Sequence, residues 1–351
     1  MTEFVLSTYG LQKDELTVEE FGSGLINSTW KVSAPGKQYI LQRINSNVFQ
    51  EPAAISGNIS LIANHLKNNY PDYLFAAPII SNDGNEMIYV EGNGYFRLLP
   101  FIEGSHTFDV ATTLEMAFEA AIQFGRFTRL LSGIEIDKLE ITIPDFHNLS
   151  LRYLQFLSAA ANTTKLRNQE TFELIETLKE FSFIANEYEK ILTNPEFKKR
   201  VTHHDTKISN VLFNHNRKGL CVIDLDTVMP GYFISDVGDM MRTYLSPVGE
   251  EESDFSKIII RKEYYTAIVE GYMSEMKDEL TEIEKKHFFY AGKFSIYMQA
   301  LRFLTDYLNG DEYYGAAYPG QNLVRASNQT ILLKRLMELA PDLYHIAIDS
   351  R

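Results

Sequence analysis

His203-His204-Asp205-Thr206-Lys207-Ile208-Ser209-Asn210 reads H-x-D-x-K-x-x-N and runs into Val211-Leu212-Phe213. A polar stretch from Asn214 to Gly219 follows, then Leu220-Cys221-Val222-Ile223 and Asp224-Leu225-Asp226. Two short apolar runs around a polar, glycine-ended turn predict a β-hairpin. In an antiparallel pair the start of the first strand lies beside the end of the second, about 5 Å away. Asn210 opens the first strand and Asp224 closes the second, so their side chains meet at one end, with Asp205 in the loop entering it. Carboxylates so crowded repel one another and protonate unless a cation neutralises them. The Asn210 amide and the Asp224 carboxylate offer oxygen ligands suited to a hard cation such as Mg²⁺, which keeps waters and shares phosphate oxygens. Asp205 is then free to accept the proton of an incoming hydroxyl, and Lys207 brings positive charge to a transferring phosphoryl group. Phosphoryl transfer is driven mostly by positioning and charge neutralisation, and this set of groups supplies both.

Outward from the hairpin, the period of the apolar pattern changes along the chain. Up to about residue 101 it predicts strands at Val18–Phe21, Ser28–Ala34, Gln38–Ile44, Glu86–Glu91 and Tyr95–Phe101, with turns at Gly22-Ser23-Gly24, Pro35-Gly36 and Gly92-Asn93-Gly94. One helix interrupts them: Pro52 suits a first helical position, and Ile55, Ile59, Ile62, Ala63 and Leu66 share a face. From about Val110 the pattern is mostly helical, beginning with a long helix from Leu114 to Leu130. The expected class is α+β, with a small antiparallel β-rich lobe over 1–99 and a large, mainly helical lobe over 100–351, joined near Leu98 to Gly104.

Composition sets outer bounds. The 351 residues are 45% hydrophobic and carry a formal net charge of −14, which fits a globular chain and disfavours nucleic-acid or anionic-membrane partners. The longest apolar stretches, such as Leu74 to Ile80, are short of a bilayer span, and the acidic Met1-Thr2-Glu3-Phe4 start does not read as a signal peptide. The single cysteine, Cys221, allows no internal disulfide and reads as a small core residue. These features together lead us to expect a cytoplasmic protein.

The D-x-K-x-x-N run followed by a strand-terminal D-x-D resembles the protein-kinase-like fold, and more closely the phosphotransferase enzyme family of aminoglycoside and choline kinases. Within that family, four stretches resemble the bacterial N-acetylhexosamine 1-kinases: His203–Asn210, Val222–Gly231, Ile40–Asn45 and Arg302–Tyr307. The resemblance spans about residues 20 to 335. It implies ATP and Mg²⁺ as cofactors, with Asp205 as catalytic base toward a sugar hydroxyl and Lys207 on the γ-phosphate. It implies Asn210 and Asp224 as metal ligands, Gly22 and Gly24 in a turn close to the phosphates, and a hinge in which Pro100 and Ile102 offer backbone groups to adenine. The third position of the glycine pattern is Asn27. A phosphate-binding strand lysine is absent, with Gln42-Arg43 in its place; only one of the two points inward, and Arg43 is the expected one. The helical glutamate that usually orients such a lysine is not identified in the sequence, with Gly57 and Asn58 near the place expected for it.

Arg302, Asp306 and Tyr307, at i, i+4 and i+5 of an expected helix, are the candidate acceptor contacts; the plain alternative is a surface ion pair. His203 is expected to bond backbone near Asp224, and Asp236 to brace the metal loop. Asp226 is open between metal contact and support. The leading expectation is a kinase of the anomeric hydroxyl of an N-acetylhexosamine, its partners being ATP and a small sugar. Alternatives are a kinase of another small alcohol (aminoglycoside, choline, homoserine or another sugar), a metal-dependent hydrolase, and a nucleotide-binding pseudoenzyme.

Overall fold

The computed structural model describes residues 1–12, 16–22 and 26–346. A short helix α1 (Thr2–Thr8) precedes strands β1 (Thr17–Glu20), β2 (Ser28–Ala34) and β3 (Lys37–Arg43). Helix α2 (Pro52–Asn69), with Pro52 at its first position, is followed by β4 (Ile88–Val90) and β5 (Gly94–Pro100). The five strands form one antiparallel sheet in the order β1-β2-β3-β5-β4. The register sets Gln42 between Thr29 and Arg97, and Arg43 between Ser28 and Phe96. Val32, Leu41, Phe96 and Leu98 form a small core on one sheet face, closed by Val5 and Leu6 of α1, a helix the strand-dominated reading of this half did not contain.

The rest of the chain is mainly helical: α3 (Leu114–Leu130), α4 (Leu149–Asn162), α5 (Lys165–Glu180) and α6 (Phe183–Thr193). Then come β6 (Arg200–Thr202), the hairpin β7 (Val211–Phe213) and β8 (Gly219–Val222), and β9 (Met229–Gly231), which pairs with β6. Helices α7 (Phe233–Tyr244), α8 (Lys262–Met276), α9 (Glu282–Lys285), α10 (Phe288–Asn309), α11 (Gln321–Glu338) and α12 (Ala340–Leu343) complete it. Helix α10 is buried over most of its circumference and packs against α4, α7 and α11, so this half has one continuous core built around it. The architecture is the expected α+β one. Among the described residues no helix is long and apolar enough to cross a membrane.

Helix α2 carries no glutamate to orient a strand cation. Its buried Asn58 instead clamps the two halves, donating to the carbonyls of Glu140 (2.8 Å) and Val228 (3.0 Å) and accepting from the Glu140 N–H (2.8 Å). This fixes the sheet against the loop that follows Asp224.

Candidate active site

The loop leaving β6 is held from below by α7. Asp236, fully buried, accepts the backbone N–H of His203 (3.0 Å) on one oxygen and that of His204 (2.7 Å) on the other. Asp239 accepts the Thr206 N–H at 2.8 Å, and the Tyr244 hydroxyl donates to the Thr206 carbonyl at 2.6 Å. Asp236 therefore braces the loop that carries Asp205, rather than the metal loop. His203 donates from Nε2 to the Ile223 carbonyl at 2.9 Å, the expected backbone bond beside Asp224. His204 takes a left-handed backbone (φ 66°) immediately before Asp205, and burial pushes its imidazole down to about 4, so it is neutral. Gly231 makes room for it: a Cβ there would lie 2.5 Å from His204 Nε2.

At the open end of the hairpin the expected cluster assembles. Asp205 Oδ2 lies 3.1 Å from Lys207 Nζ and accepts from Asn210 Nδ2 at 3.1 Å. Asn210 Nδ2 also donates to the Asp205 carbonyl at 2.8 Å, which leaves its Oδ1 as the end that accepts or ligates. The Ile223 N–H donates to the Asn210 carbonyl at 2.9 Å, so the residue after it, Asp224, stands beside Asn210. Asp224 adopts φ 61°, a left-handed conformation that aspartate tolerates better than most residues and that turns the chain out of β8. Asp224 is exposed, yet the protein atoms around its carboxyl still desolvate it. That desolvation, reinforced by Asp226 and Asp205 and opposed by Lys207 and Arg97, pushes its carboxyl up to about 7. Burial works to lower the Lys207 pKa, but the carboxylates of Asp205 and Asp224 outweigh it and the ammonium is held above its ordinary value. Among the described residues no group of three or more His, Cys, Asp or Glu side chains gathers as a metal cage. One amide and one carboxylate are a donor set that suits Mg²⁺, which fills its remaining positions with water and phosphate oxygens.

The sheet side of the cluster differs from the sequence reading at one point. Gln42, not Arg43, lies on the face turned to the D-x-D loop. Its Oε1 accepts from Arg97 Nε (3.0 Å) and Nη2 (2.8 Å), and Arg97 Nη1 lies 2.5 Å from Asp226 Oδ1 with both side chains 2% exposed. Arg43 points to the opposite face and donates to Ser28 Oγ at 3.1 Å, which corrects its assignment to the phosphates. The alternation of strand side chains decides this, because Leu41 is in the small core and Arg43 shares its side. Asp226 also accepts from Asn27 Nδ2 at 2.7 Å, so it supports the loop and the sheet. Gly22 has φ 83°, a conformation that favours glycine; Gly24 lies outside the described residues. Pro100 ends β5, and the Ile102 carbonyl already accepts from the Ser105 N–H (3.3 Å) and hydroxyl (2.5 Å). Arg97 was missed from sequence although a signal existed, a lone charge within the otherwise apolar run Tyr95 to Pro100.

On the helical side, Asp306 is buried, and its carboxylate accepts from Tyr313 N (2.7 Å), Tyr314 N (2.9 Å) and Asn322 Nδ2 (3.1 Å). Tyr307 turns away and donates its hydroxyl to Glu170 Oε2 at 2.7 Å. Both are thus corrected from acceptor contacts to supports, because their polar atoms are spent on the protein. Arg302 remains open: it lies 5.5 Å from the Phe146 ring centre and 5.4 Å from that of Tyr314, and is bonded only weakly to Gln299 and Tyr313. Around it stand Arg325 on Tyr314, Arg242 and Arg152. Asp239 and Glu250 pair with Arg242, and Glu250 with Arg325. Among the described residues Arg302 and Arg152 have no carboxylate at ion-pair distance. Burial, His204 and these arginines together hold the His147 imidazole well below its ordinary value.

A family model described as the phosphotransferase enzyme family matches residues 17–256. Three solved structures with the same fold cover nearly the whole chain. An aminoglycoside phosphotransferase from Alicyclobacillus acidocaldarius is 13% identical, with a TM-score of 0.62 and 96% of each chain covered. A choline kinase from Cryptosporidium parvum is 14% identical, with a TM-score of 0.61 and 98% of each chain covered. An amicoumacin kinase in complex with AMP-PNP and Ca²⁺ is 14% identical, with a TM-score of 0.60, covering 97% of this chain and 92% of its own.

Proposed function

Since this chain belongs to the phosphotransferase enzyme family, we propose that it transfers the γ-phosphate of Mg-ATP to a sugar hydroxyl, the anomeric hydroxyl of an N-acetylhexosamine. The observation that carries the kinase reading is the meeting of Asp205, Lys207, Asn210 and Asp224 at one end of the hairpin. Asp205 accepts the proton of the acceptor hydroxyl as the oxygen attacks, and Asn210 holds that carboxylate in place through Nδ2. Lys207 draws the transferring phosphoryl group toward Asp205 and offsets its charge. Asn210 Oδ1 and Asp224 are the metal ligands. A divalent cation held by these two residues would supply positive charge against the nucleotide phosphates. Gly22 and the hinge at Pro100 and Ile102 are the contacts for the nucleotide backbone and base.

The acceptor assignment rests on charge. A choline or aminoglycoside acceptor is cationic and favours a wall with unpaired carboxylates. Here Asp239 and Glu250 are paired with arginine, and Arg302 and Arg152 add unpaired positive charge. Such a wall repels an amine and donates to an acetamido carbonyl or a ring hydroxyl.

The test is ADP release with Mg-ATP across N-acetylhexosamines, the matching free hexosamines, hexoses, choline and an aminoglycoside, with ³¹P NMR of the product. Turnover of an N-acetylhexosamine to an anomeric phosphate is expected, and turnover confined to cationic acceptors sinks the assignment. Asp205→Asn should lower kcat by about 10²- to 10⁴-fold with the fold intact; near-full turnover removes Asp205 from the role of base.

A further inference from the structure

Charge on the acceptor side is not balanced by the protein. Arg242 and Arg325 are met by Asp239 and Glu250, but Arg302 of α10 and Arg152 of α4 have no carboxylate at ion-pair distance among the described residues. Their partners are neutral. Arg302 donates weakly to Gln299 Oε1 (3.3 Å) and the Tyr313 hydroxyl (3.4 Å), and Arg152 to Gln155 Oε1 (3.0 Å) and the Asp145 carbonyl (2.8 Å). The Asp145 carboxylate, which favours charged Arg152 from beyond ion-pair distance, accepts from Asn148 instead (2.8 Å). We propose that Arg302 and Arg152 bind an anionic substituent of the acceptor, so that the preferred substrate is an N-acetylhexosamine carrying a carboxylate or a phosphate. The inference rests on the sugar-kinase reading above and narrows its acceptor.

The two guanidiniums act on each other. Burial, reinforced by the Arg302 charge, lowers the Arg152 pKa, and both arginines act on His147. Holding like charges together in a half-buried place costs free energy, and a ring hydroxyl or an acetamido carbonyl could be met by neutral donors without that cost. An anion between the arginines removes the repulsion, and a planar guanidinium fits two oxygens of a carboxylate or a phosphate at once. Both side chains are partly exposed, and among the described residues Arg302 keeps its Nε–H and one N–H on each terminal nitrogen free of hydrogen-bond partners. The cluster also adjoins the catalytic loop. Phe146, 5.5 Å from the Arg302 guanidinium, stacks on His147 at 4.5 Å, and His147 lies 5.2 Å from His204, which directly precedes Asp205. A sugar whose anomeric hydroxyl faces Asp205 therefore turns its ring substituents toward these arginines.

The test compares kcat/KM, with Mg-ATP, for N-acetylglucosamine and three charged derivatives that keep the anomeric hydroxyl: the 3-O-lactyl ether, the 6-carboxylate and the 6-phosphate. At least one charged sugar should exceed the neutral parent by about tenfold or more, as a charge-assisted contact implies. Turnover of the phosphate alone, or of a carboxylate alone, identifies which anion the site takes. A preference below about threefold for all three overturns the inference. Arg302→Gln and Arg152→Gln should each cut the preference about fivefold or more, mainly through KM of the charged sugar; a preference that survives both overturns the assignment to these arginines. If neither variant folds, wild type is titrated with potassium chloride. KM for the charged sugar should rise more steeply than KM for the parent, and parallel curves overturn the inference. Wild type that phosphorylates none of the four sugars sinks the sugar-kinase reading itself, whereas turnover of the neutral parent without preference sinks only the anion site.

Discussion

Asp236→Asn should separate stability from turnover. In the folded protein burial raises the Asp236 carboxyl from 3.8 to about 6, and that rise costs the charged form about 3 kcal/mol at pH 7. The asparagine removes this cost. It has one accepting oxygen for two N–H groups, those of His203 and His204, and an unpaired buried N–H costs about 1–3 kcal/mol. The two effects nearly offset, so unfolding free energy at pH 7 should change by less than about 2 kcal/mol. Turnover has no such compensation. His204 sits at φ 66° directly before Asp205, and freeing one of the two N–H anchors lets the base drift, for an expected kcat loss of about tenfold or more. The pH dependence has a definite sign. A carboxyl raised in the folded state contributes stability that is complete below its unfolded pKa and is lost as pH rises through about 6. Wild type should therefore gain about 1.4 kcal/mol relative to Asp236→Asn between pH 7 and pH 5. Urea unfolding of both proteins at the two pH values, with kcat at pH 7, decides it. A stability difference that does not move with pH refutes the raised carboxyl, and undiminished kcat refutes its hold on the loop.

Two further perturbations probe the scaffold under the site. Arg200→Met leaves Glu284, fully buried and gripped by both arginine nitrogens at 2.6 and 2.9 Å, without its cation; a loss of about 3–5 kcal/mol in urea unfolding is expected. Arg200→Met with Glu284→Gln should recover part of it, and no recovery would argue for lost packing instead. Gly271→Ala puts a methyl group 2.5 Å from the Phe118 carbonyl and 2.9 Å from Ala121 Cβ, where α8 crosses α3. About 1–3 kcal/mol of destabilisation is expected, with KM for both substrates unchanged in the fraction that folds; an unaltered melting temperature would mean the helices part easily.

The hairpin and its flanking acids were legible because their arrangement is local. Asn210 and Asp224 are 14 positions apart, and β-pairing alone returns the second beside the first. The strand and helix pattern was equally legible from apolar period, within a residue or two at most ends. Helix α1 escaped because seven residues leave too little periodicity beside a strand-rich region. Adjacent Gln42 and Arg43 were narrowed by alternation to one inward residue, yet which face met the D-x-D loop depended on how the sheet lies on the helical half. Asp306 looked like a free carboxylate at the right helical spacing, but a loop seven residues downstream consumes its oxygens.

By itself the sequence determined which residues are neighbours along a strand, a hairpin or a helix turn, since backbone geometry sets those spacings whatever surrounds them. Only the tertiary structure decided that Arg97 meets Asp226, that Asp236 carries the loop of Asp205, and that arginines gather around Arg302. Such pairings join side chains from elements far apart in the chain, and the packing of those elements, more than any local spacing, brings the charges within reach of each other.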